Sequence, residues 1–346
     1  LEGGDGVRRK KYVYFFGDGK AEGNGKLKEL LGGKGAGLAE MTSIGLPVPA
    51  GFTITTEVCT LFYKSNKKYP SGLEKEVVAH IARLEKLVGK KLGDPDDPLL
   101  VSVRSGAARS MPGMMETILN LGLNDKSLEG LAKRTNNRRF ALDAYRRFIV
   151  MYSAIAMGIP REECDQEFDW IKHNRTRQRL NITNNKILDT DVNEKELEEL
   201  ISRLKTVYRT HTKKDFPQEP KEQLWGAINA VFGSWMAEKA VTYRRVEKIS
   251  GLLGTAVNIV QMVFGNKGDS SGTGVCFTRD PNTGENTFYG DLLMNAQGED
   301  VVAGIRTPLH LSDLNKNLPK IYSQLCTVRK KLEKHYKEMQ DIEFTI

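Results

Sequence analysis

The chain has 346 residues, of which 39% are apolar, 28% charged and 8% aromatic, a balance typical of a folded globular protein and too apolar for a disordered one. Lysine and arginine exceed aspartate and glutamate by 52 − 44 = 8, which favours an anionic partner such as nucleic acid, a membrane surface or a phosphate-bearing ligand. No run approaches about 18 apolar residues, so no membrane span is predicted. The cysteines and histidines show neither CxxC nor HxxxH spacing, which argues against a disulfide framework or a zinc site.

The first zone, up to about residue 122, combines helix and strand patterns. Strands are predicted at 12–16, 51–55 and 99–103, and a short helix at 34–44 that ends at Gly45. Between residues 56 and 91 the apolar spacing is helical. The residues on that apolar face are Leu73, Val77, Ile81, Leu84 and Val88.

The second zone, residues 124–215, shows helical spacing and no strand pattern. Helices are predicted at 138–157 and 193–206. The segment 216–220 contains two prolines and marks a junction, because proline interrupts a helix. One further helix is predicted over 221–249.

From residue 254 onward the pattern changes to antiparallel strands. They are predicted at 256–264, 273–278 and 287–295, and turn-rich links connect them. A last helix over 315–340 is followed by a strand over 341–346.

A glycine-rich segment at 31–38 surrounds Lys34 and opens the first predicted helix. Glycines let the backbone approach a phosphate, the amides at a helix start point towards it, and the lysine adds charge. The segment matches neither a Walker A loop nor the dinucleotide GxGxxG pattern. An ordinary turn explains it equally well.

A second candidate is the segment 101–115, where a buried strand is expected to end in a loop that carries Arg104 and Arg109. Arginine at the carboxyl end of a strand, beside hydroxyls and backbone amides, suits a phosphate clamp. The alternative is a structural ion pair for Arg104 and an apolar core role for Met114 and Met115.

Two neighbouring features complete a nucleotide-site pattern. The loop 265–274, which includes Gly272 and Thr273, is rich in glycine and hydroxyl groups and could cover a polyphosphate, although a flexible hairpin has the same composition. The strand before it, with Gln261, Met262 and Val263, could offer backbone groups to an adenine edge, as could any interior strand.

The terminal strand alternates, with Asp341, Glu343 and Thr345 on one face and apolar residues on the other. Two carboxylates on one face can hold Mg²⁺, which prefers oxygen ligands, although a solvated face gives the same pattern. Glu299 is a further candidate carboxylate.

Long blocks of the sequence resemble the pyruvate phosphate dikinase family in the same order along the chain. They are LGGKGAGLAEM at 31–41, VSVRSGAARSMPGMMETILNLGLND at 101–125, MVFGNKGDSSGTGVCFTRDPNTGE at 262–285, NAQGEDVVAGIRTP at 295–308 and MQDIEFTI at 339–346. The resemblance extends from about Lys11 to Ile346.

The resemblance implies an α+β, ATP-grasp-like fold, in which two α/β lobes clasp ATP and a helical lobe is inserted. The first lobe would comprise 11–123 and 216–263, the helical insert 124–215, and a second lobe, truncated at its C-terminal end, 264–346. Residues 1–10 are expected to be a tag or a flexible N-terminus.

The resemblance also implies residue roles, which are carried over position by position. Catalytic roles on the ATP phosphates fall to Lys34 and Arg104. Mg²⁺ would be held by Asp341 and Glu343. The implied nucleotide-binding residues are Lys34, Arg104, Gln261, Met262, Val263, Gly272, Thr273, Glu299, Asp341 and Glu343.

The family converts ATP, pyruvate and inorganic phosphate into AMP, phosphoenolpyruvate and diphosphate. In the half reaction implied for this part, a histidine attacks the β-phosphorus of ATP, and the γ-phosphate passes to inorganic phosphate. That histidine belongs to a swivelling domain with a Gly-Gly-x-[Ser/Thr]-Ser-His motif. Because none of the five histidines here has that context, the chain is expected to be a nucleotide-binding domain that needs the phosphohistidine and pyruvate-binding domains for turnover.

The expected partners are ATP and inorganic phosphate, with no nucleic acid and no membrane, in a full-length enzyme that is a homodimer. The expected location is the cytoplasm, with a plastid or a parasite organelle as alternatives. Two other functions stay open: the corresponding domain of a phosphoenolpyruvate synthase-like dikinase that uses water as acceptor, and a non-catalytic basic binding module.

Overall fold

The computed structural model describes residues 10–182, 187–302 and 307–346, without the side chains of Glu299 and Val302. The fold mixes helices and strands, as predicted, and divides into two compact units between Met262 and Val263. Of the expected N-terminal tag or flexible segment, only Lys10 lies within the described residues.

The first unit is built on a six-stranded sheet with the order β2-β1-β3-β8-β6-β7. All pairings in this sheet are antiparallel. A separate parallel pair is formed by β4 and β5. The strands are β1 (Val13–Gly17), β2 (Lys20–Ala21), β3 (Gly51–Ile54), β4 (Lys91–Leu92), β5 (Pro98–Leu99), β6 (Val101–Ala107), β7 (Thr117–Leu121) and β8 (Thr255–Gln261).

The centre of this sheet is closed by a strand from far along the sequence. β8 pairs with β3 on one side and β6 on the other, although a long helical region separates it from both. All of β3 and all but the last residue of β8 are buried. The core of the first unit therefore depends on non-local pairing, which no local sequence pattern specifies.

The helices of the first unit are concentrated between β7 and β8. Short π-helical and 3₁₀ turns at Lys172–Thr176 and Asp189–Asp191 accompany them. The helices are α1 (Lys28–Ser43), α2 (Thr56–Lys64), α3 (Leu73–Val88), α4 (Asp125–Thr135), α5 (Arg138–Met157), α6 (Arg161–Ile171), α7 (Arg177–Leu180), α8 (Glu194–Thr212), α9 (Pro220–Ser234) and α10 (Glu238–Val246).

Local sequence explains several helix starts. Asn124 caps α4 by accepting hydrogen bonds from the amides of Lys126 and Ser127, while the Ser127 hydroxyl accepts from the Asn124 amide. At α8 the Glu196 carboxylate accepts from the amide of Asn193, whose side chain in turn caps Glu196. These reciprocal pairs satisfy amides that a helix start leaves without partners.

The helical region is held together by one aromatic cluster. Phe216, which is buried, lies within 5.2–6.2 Å, ring centre to ring centre, of four other aromatic rings in edge-on geometry. Those rings belong to Tyr145, Phe148, Tyr152 and Tyr208. Edge-on contacts of this kind add to the hydrophobic gain of burial.

The predictions of two long helices are wrong, because the structure has two separate helices in each of these regions. The predicted helix 221–249 is interrupted between α9 and α10, where the amides of Trp235, Met236 and Ala237 each bond to the carbonyl three residues earlier. Such bonds tighten and end a helix. The predicted helix 315–340 is likewise divided at Pro319, whose ring nitrogen has no proton to continue the bonding pattern.

The second unit has a four-stranded sheet with the order β11-β10-β9-β12. Its strands are β9 (Gly272–Phe277), β10 (Tyr289–Met294), β11 (Leu309–His310) and β12 (Asp341–Thr345), and its helices are α11 (Gly298–Val302), α12 (Leu311–Asn317) and α13 (Pro319–Tyr336). One face packs on a small core formed by Cys276, Leu292, Leu311 and Leu314. Burial raises the pKa of the Cys276 thiol to about 12, so this thiol remains protonated at neutral pH.

None of the helices in the described ranges is both long enough and apolar enough to cross a bilayer.

Candidate functional site

The glycine-rich segment forms a sharp turn within α1. Gly32 has φ 69° and ψ 166°, which interrupts the helix before it resumes. A Cβ atom at Gly32 would lie 1.7 Å from the carbonyl oxygen of Gly106 on β6. Only glycine fits here, because this backbone conformation and this close approach both exclude a side chain. The exposed Lys34 therefore lies in the first turn of the resumed helix.

Arg104 lies inside a strand, so its predicted position in a loop at the strand end is wrong. β6 continues to Ala107, because the small residues Ser105, Gly106 and Ala107 pair with β8. The Arg104 side chain is half-buried, and its Nε donates a hydrogen bond to Ser102 Oγ at 3.2 Å. Arg109 is exposed in the loop that follows.

A row of polar residues crosses the sheet at Arg104. Arg104 is the register partner of Asn258 on β8, and Asn258 is the register partner of Thr53 on β3. Directly paired residues project from the same face of a sheet, and a Cβ atom on Gly35 of α1 would lie 2.8 Å from both Asn258 Oδ1 and Thr53 Oγ1. The row Thr53–Asn258–Arg104 therefore lies on the face that α1 covers.

Lys34 and Arg104 are brought to the same face of this sheet. Lys34 Cβ lies 3.6 Å from the point where a side chain of Gly106 would begin. Gly106 is two residues from Arg104 on β6 and shares its face. Two cationic side chains, a helix start and glycine backbone thus converge, an arrangement suited to a phosphate group.

The segment 261–263 lies at the end of β8. The Gln261 amide donates to the Ala50 carbonyl at 2.9 Å, and the Met262 amide donates to the Leu100 carbonyl at 2.9 Å. Val263 begins the second unit and is 47% exposed. The backbone donors of Gln261 and Met262 are therefore engaged within the protein.

In the second unit, the loop before β9 is organised by Ser271. Its hydroxyl accepts from the amides of Lys267 and Gly268 at 2.9 and 3.2 Å and donates to the Gly268 carbonyl at 2.7 Å. Gly272 and Thr273 follow as the first residues of β9, and Thr273 Oγ1 donates to the Phe344 carbonyl at 3.1 Å. The loop is thus a defined turn, fixed at its base to β12.

The alternation predicted for the last strand is confirmed. Asp341, Glu343 and Thr345 are exposed, while Ile342 and Phe344 pack against the core of the second unit. Thr345 is the register partner of Thr273 and Glu343 that of Val275, so the acidic face of β12 and Thr273 share one side of the sheet. The side chain of Glu299, the remaining predicted carboxylate, lies outside the described part of the chain.

The chemistry of Asp341 and Glu343 fits a magnesium ion. Residues two apart on a strand project from the same side, and Mg²⁺ in phosphate-transfer sites is commonly held by one or two carboxylates together with substrate phosphates. Within residues 10–182, 187–302 and 307–346 no group of three or more His, Cys, Asp or Glu side chains could hold a metal ion alone. A metal at β12 would therefore need further ligands such as phosphate oxygens or water.

Sequence reasoning missed two residues of this region, Thr53 and Asn258. Asn258 is fully buried, and Thr53 is 1% exposed. The available signal was an asparagine inside the apolar run Ala256–Val263, since a buried amide needs a partner. That partner is on β3, about 200 residues earlier in the chain, and only the fold identifies it.

Comparison with known proteins gives a consistent result. The sequence profile of the family described as "Pyruvate phosphate dikinase, AMP/ATP-binding domain" matches residues 28–71 and 67–321. The chain is 52% identical over 337 residues to pyruvate, phosphate dikinase of Clostridium symbiosum, covering 97% of this chain and 37% of that protein. It is 50% and 51% identical to the chloroplastic enzymes of Arabidopsis thaliana and Zea mays, covering 97% of this chain and 34% of each. The chain thus spans about a third of the length of these relatives.

Proposed function

We propose, since the chain belongs to the family of pyruvate phosphate dikinase AMP/ATP-binding domains, that it binds ATP as the nucleotide-binding part of a pyruvate, phosphate dikinase. The observation that carries this proposal is the position of Lys34 and Arg104 on one face of the first sheet, beside a glycine turn that opens a helix. The finer ATP-grasp-like arrangement, in which each unit supplies nucleotide-binding residues, is part of the proposal.

Lys34 and Arg104 bind the ATP phosphates in this proposal. Lysine acts as a mobile point charge, whereas the guanidinium of Arg104, aligned by Ser102, offers paired donors to phosphate oxygens. The helix that resumes after Gly32 adds backbone amides that favour negative charge. Gly272 and Thr273, at the base of the Ser271 turn, act on the same phosphates.

The adenine end is assigned to residues 261–263. Because the Gln261 and Met262 amides donate within the protein, recognition of the base by these two residues would use their carbonyl oxygens. An acceptor of this kind suits the exocyclic amino group of adenine.

Asp341 and Glu343 would hold Mg²⁺, with Glu299 as a further carboxylate at the site. The ion, when bound, neutralises charge on the phosphate oxygens. The two carboxylates are exposed on one face of β12, where they can accept a hydrated ion together with ATP.

The reaction proposed for this domain is the half reaction of its family. A histidine of another domain attacks the β-phosphorus of ATP, and AMP leaves with the bridging oxygen. The γ-phosphate of the resulting pyrophosphohistidine passes to inorganic phosphate, which gives diphosphate and leaves a phosphohistidine. Lys34 and Arg104 stabilise the negative charge that develops on the phosphate oxygens. The chain covers about a third of the length of its relatives. We therefore propose that it works with a phosphohistidine domain and a pyruvate-binding domain, in a full-length enzyme that is a homodimer.

The chloroplast location in the names of the plant relatives supports a plastid among the expected compartments.

Calorimetric titration of ATP with Mg²⁺ into the wild type and the Arg104→Ala variant tests the proposal. We expect the wild type to bind and the variant to lose at least about tenfold in affinity, equivalent to about 1.4 kcal/mol. Arg134→Ala is the matched control, because Arg134 is an exposed arginine of the same unit whose salt bridge to Asp97 is 3.2 Å long. Equal affinity of wild type and Arg104→Ala would contradict the role of Arg104, and a wild type that does not bind would contradict the function.

A further inference from the structure

Asn258 lies where the glycine turn of α1 packs against the first sheet. A Cβ atom on Gly35 would lie 2.8 Å from Asn258 Oδ1, and one on Gly106 would lie 2.6 Å from Asn258 Nδ2. The asparagine amide therefore fills the space between the helix that carries Lys34 and the strand that carries Arg104.

Thr53 fixes the orientation of this amide. The Thr53 hydroxyl donates a hydrogen bond to Asn258 Oδ1 at 2.8 Å, and both residues are almost completely buried. With its oxygen towards β3, the amide directs Nδ2 to the opposite side, next to Gly106 on β6.

The Nδ2 group of Asn258 makes no hydrogen bond within the part of the chain that the structure describes. A buried N–H group without an acceptor costs the folded protein the desolvation of that group, and such cases in proteins are uncommon. A leucine of similar size would avoid this cost. The buried Nδ2 group of Asn258 therefore has an energetic cost that packing alone does not require.

We propose that Asn258 is a positioning residue for ATP: its amide, oriented by Thr53, sets the glycine turn against β6, and Nδ2 donates a hydrogen bond to the backbone of that turn when the phosphates bind. Asn258 contacts no nucleotide and acts through Lys34 and the amides after Gly32. The inference rests on the proposed ATP-binding function.

The test compares ATP and AMP, because Asn258 acts on the phosphate-binding turn. In Asn258→Leu we expect the dissociation constant for ATP with Mg²⁺ to rise about tenfold and that for AMP to change by less than about twofold. The midpoint of thermal unfolding should fall in Asn258→Leu, because the buried Thr53 hydroxyl loses its acceptor, and should recover in the double variant with Thr53→Val, which removes both polar partners. Calorimetric titration gives both constants, and circular dichroism gives the midpoint.

Two further variants keep the test decisive. In Thr53→Val the side chain keeps nearly the same shape but lacks the hydroxyl that orients the amide, so this variant should also bind ATP more weakly. The double variant should lose no more ATP affinity than the more affected single variant. Ser153→Ala is the control, because Ser153 Oγ on α5 is another buried group without a hydrogen-bond partner among the described residues. Its removal should leave the ATP affinity unchanged.

The outcomes separate the inference from the function on which it rests. Absence of ATP binding by the wild type would overturn the proposed function and the inference together. If the wild type binds ATP but Asn258→Leu and Thr53→Val bind it equally well, the inference alone fails. Equal weakening of ATP and AMP binding by Asn258→Leu, or an unfolding midpoint that stays low in the double variant, would assign Asn258 a purely structural role and also overturn the inference.

Discussion

The two sheets carry their candidate site residues in opposite environments. In the first unit, Arg104 belongs to a row with the fully buried Asn258 and Thr53 on strands that are covered almost throughout. In the second unit, Asp341 and Glu343 lie on an edge strand with one face open to solvent. Arg104 is thus anchored beside a buried polar pair, whereas the two carboxylates of β12 lie on a surface.

This difference has an energetic consequence. Substitutions of buried, hydrogen-bonded polar groups leave charges or donors without partners and cost several kcal/mol, while most surface substitutions change stability by about 0.5 kcal/mol or less. Substitutions of the buried Thr53 and Asn258 in the first unit should therefore change stability as well as any binding, whereas substitutions on the acidic face of β12 should leave stability nearly unchanged. The following predictions test that contrast.

The largest effect is expected at Asp143, a 5% exposed residue of α5. Arg146 donates to its Oδ1 at 2.9 and 2.6 Å, and Arg147 to its Oδ2 at 2.9 Å. Burial alone would raise the pKa of Asp143, but the two arginines hold it well below the usual range. Asp143→Asn should lower the free energy of unfolding by about 3–5 kcal/mol, because it leaves buried cations uncompensated.

Urea denaturation at pH 7 measures this loss. The control is Asp313→Asn in the second unit, whose 3.2 Å contact with Lys316 is largely exposed and should contribute less than about 1 kcal/mol. Similar losses in the two variants would remove the contrast between the units.

The second largest effect is expected for Gly32→Ala. Backbone strain in the left-handed region and overlap with the Gly106 carbonyl should together cost about 2–4 kcal/mol. Gly37→Ala on the same helix is the matched control. Apart from its chain neighbours and its own helix backbone, no atom of the described residues lies within 4 Å of its Cβ position, so alanine should raise stability by about 0.5–1 kcal/mol. Thermal and urea unfolding measure both, and a neutral Gly32→Ala would show that the turn can move away from β6.

Particular elements of the fold show what the sequence alone could predict. The helix Arg138–Met157 and the alternation of β12 followed directly from apolar periodicity. The break at Trp235–Ala237 follows Gly233, but a single glycine inside a helical pattern is tolerated and does not by itself predict a helix end. The glycine-rich segment was recognised in the sequence, but its contact with Gly106 could not be predicted.

The candidate site was predictable as a set of residues and not as an arrangement. Lys34, Arg104 and Glu343 were identified from motifs and resemblance, while the row Thr53–Asn258–Arg104 depends on pairing of β8 between β3 and β6. Arg104 was misplaced at a strand end because Gly106 is typical of a loop, and in a strand it is tolerated where another element approaches closely. Register between distant strands leaves no local trace in the sequence.

A smaller, pH-dependent effect is expected at Glu22 in the first unit. Partial burial raises the pKa of this carboxyl, but hydrogen bonds from the Phe15 amide, Lys11 and Arg83 outweigh burial and lower the pKa to about 2. Because the folded pKa lies below the unfolded value of 4.5, the stabilisation is complete above about pH 4.5 and disappears as the pH falls towards 2.

The measurement is the free energy of unfolding of wild type and Glu22→Gln as a function of pH. At pH 7 the wild type should be more stable by about 1–2 kcal/mol, a value reduced for partial solvent screening of this side chain, and the two curves should meet near pH 2. Glu57→Gln removes a more exposed ion pair, with Lys10, and should cost less than about 0.5 kcal/mol. A constant difference between the wild type and Glu22→Gln across the pH range would contradict the ionisation of Glu22 as its source.

The smallest effect on stability is expected at Glu343, on the exposed face of β12. Glu343→Gln should change the free energy of unfolding by less than about 0.5 kcal/mol, yet raise the dissociation constant for ATP with Mg²⁺ about tenfold, equivalent to about 1.4 kcal/mol, because it removes one of two carboxylates. Glu338→Gln, a neighbouring exposed carboxylate, should change neither quantity. Titration of ATP at several Mg²⁺ concentrations separates the ion from the nucleotide: the variant should lose its affinity mainly where Mg²⁺ is present. Unchanged affinity, or a loss of stability like that of Asp143→Asn, would show that the acidic face of the second unit is not the separable ligand surface that its exposure indicates.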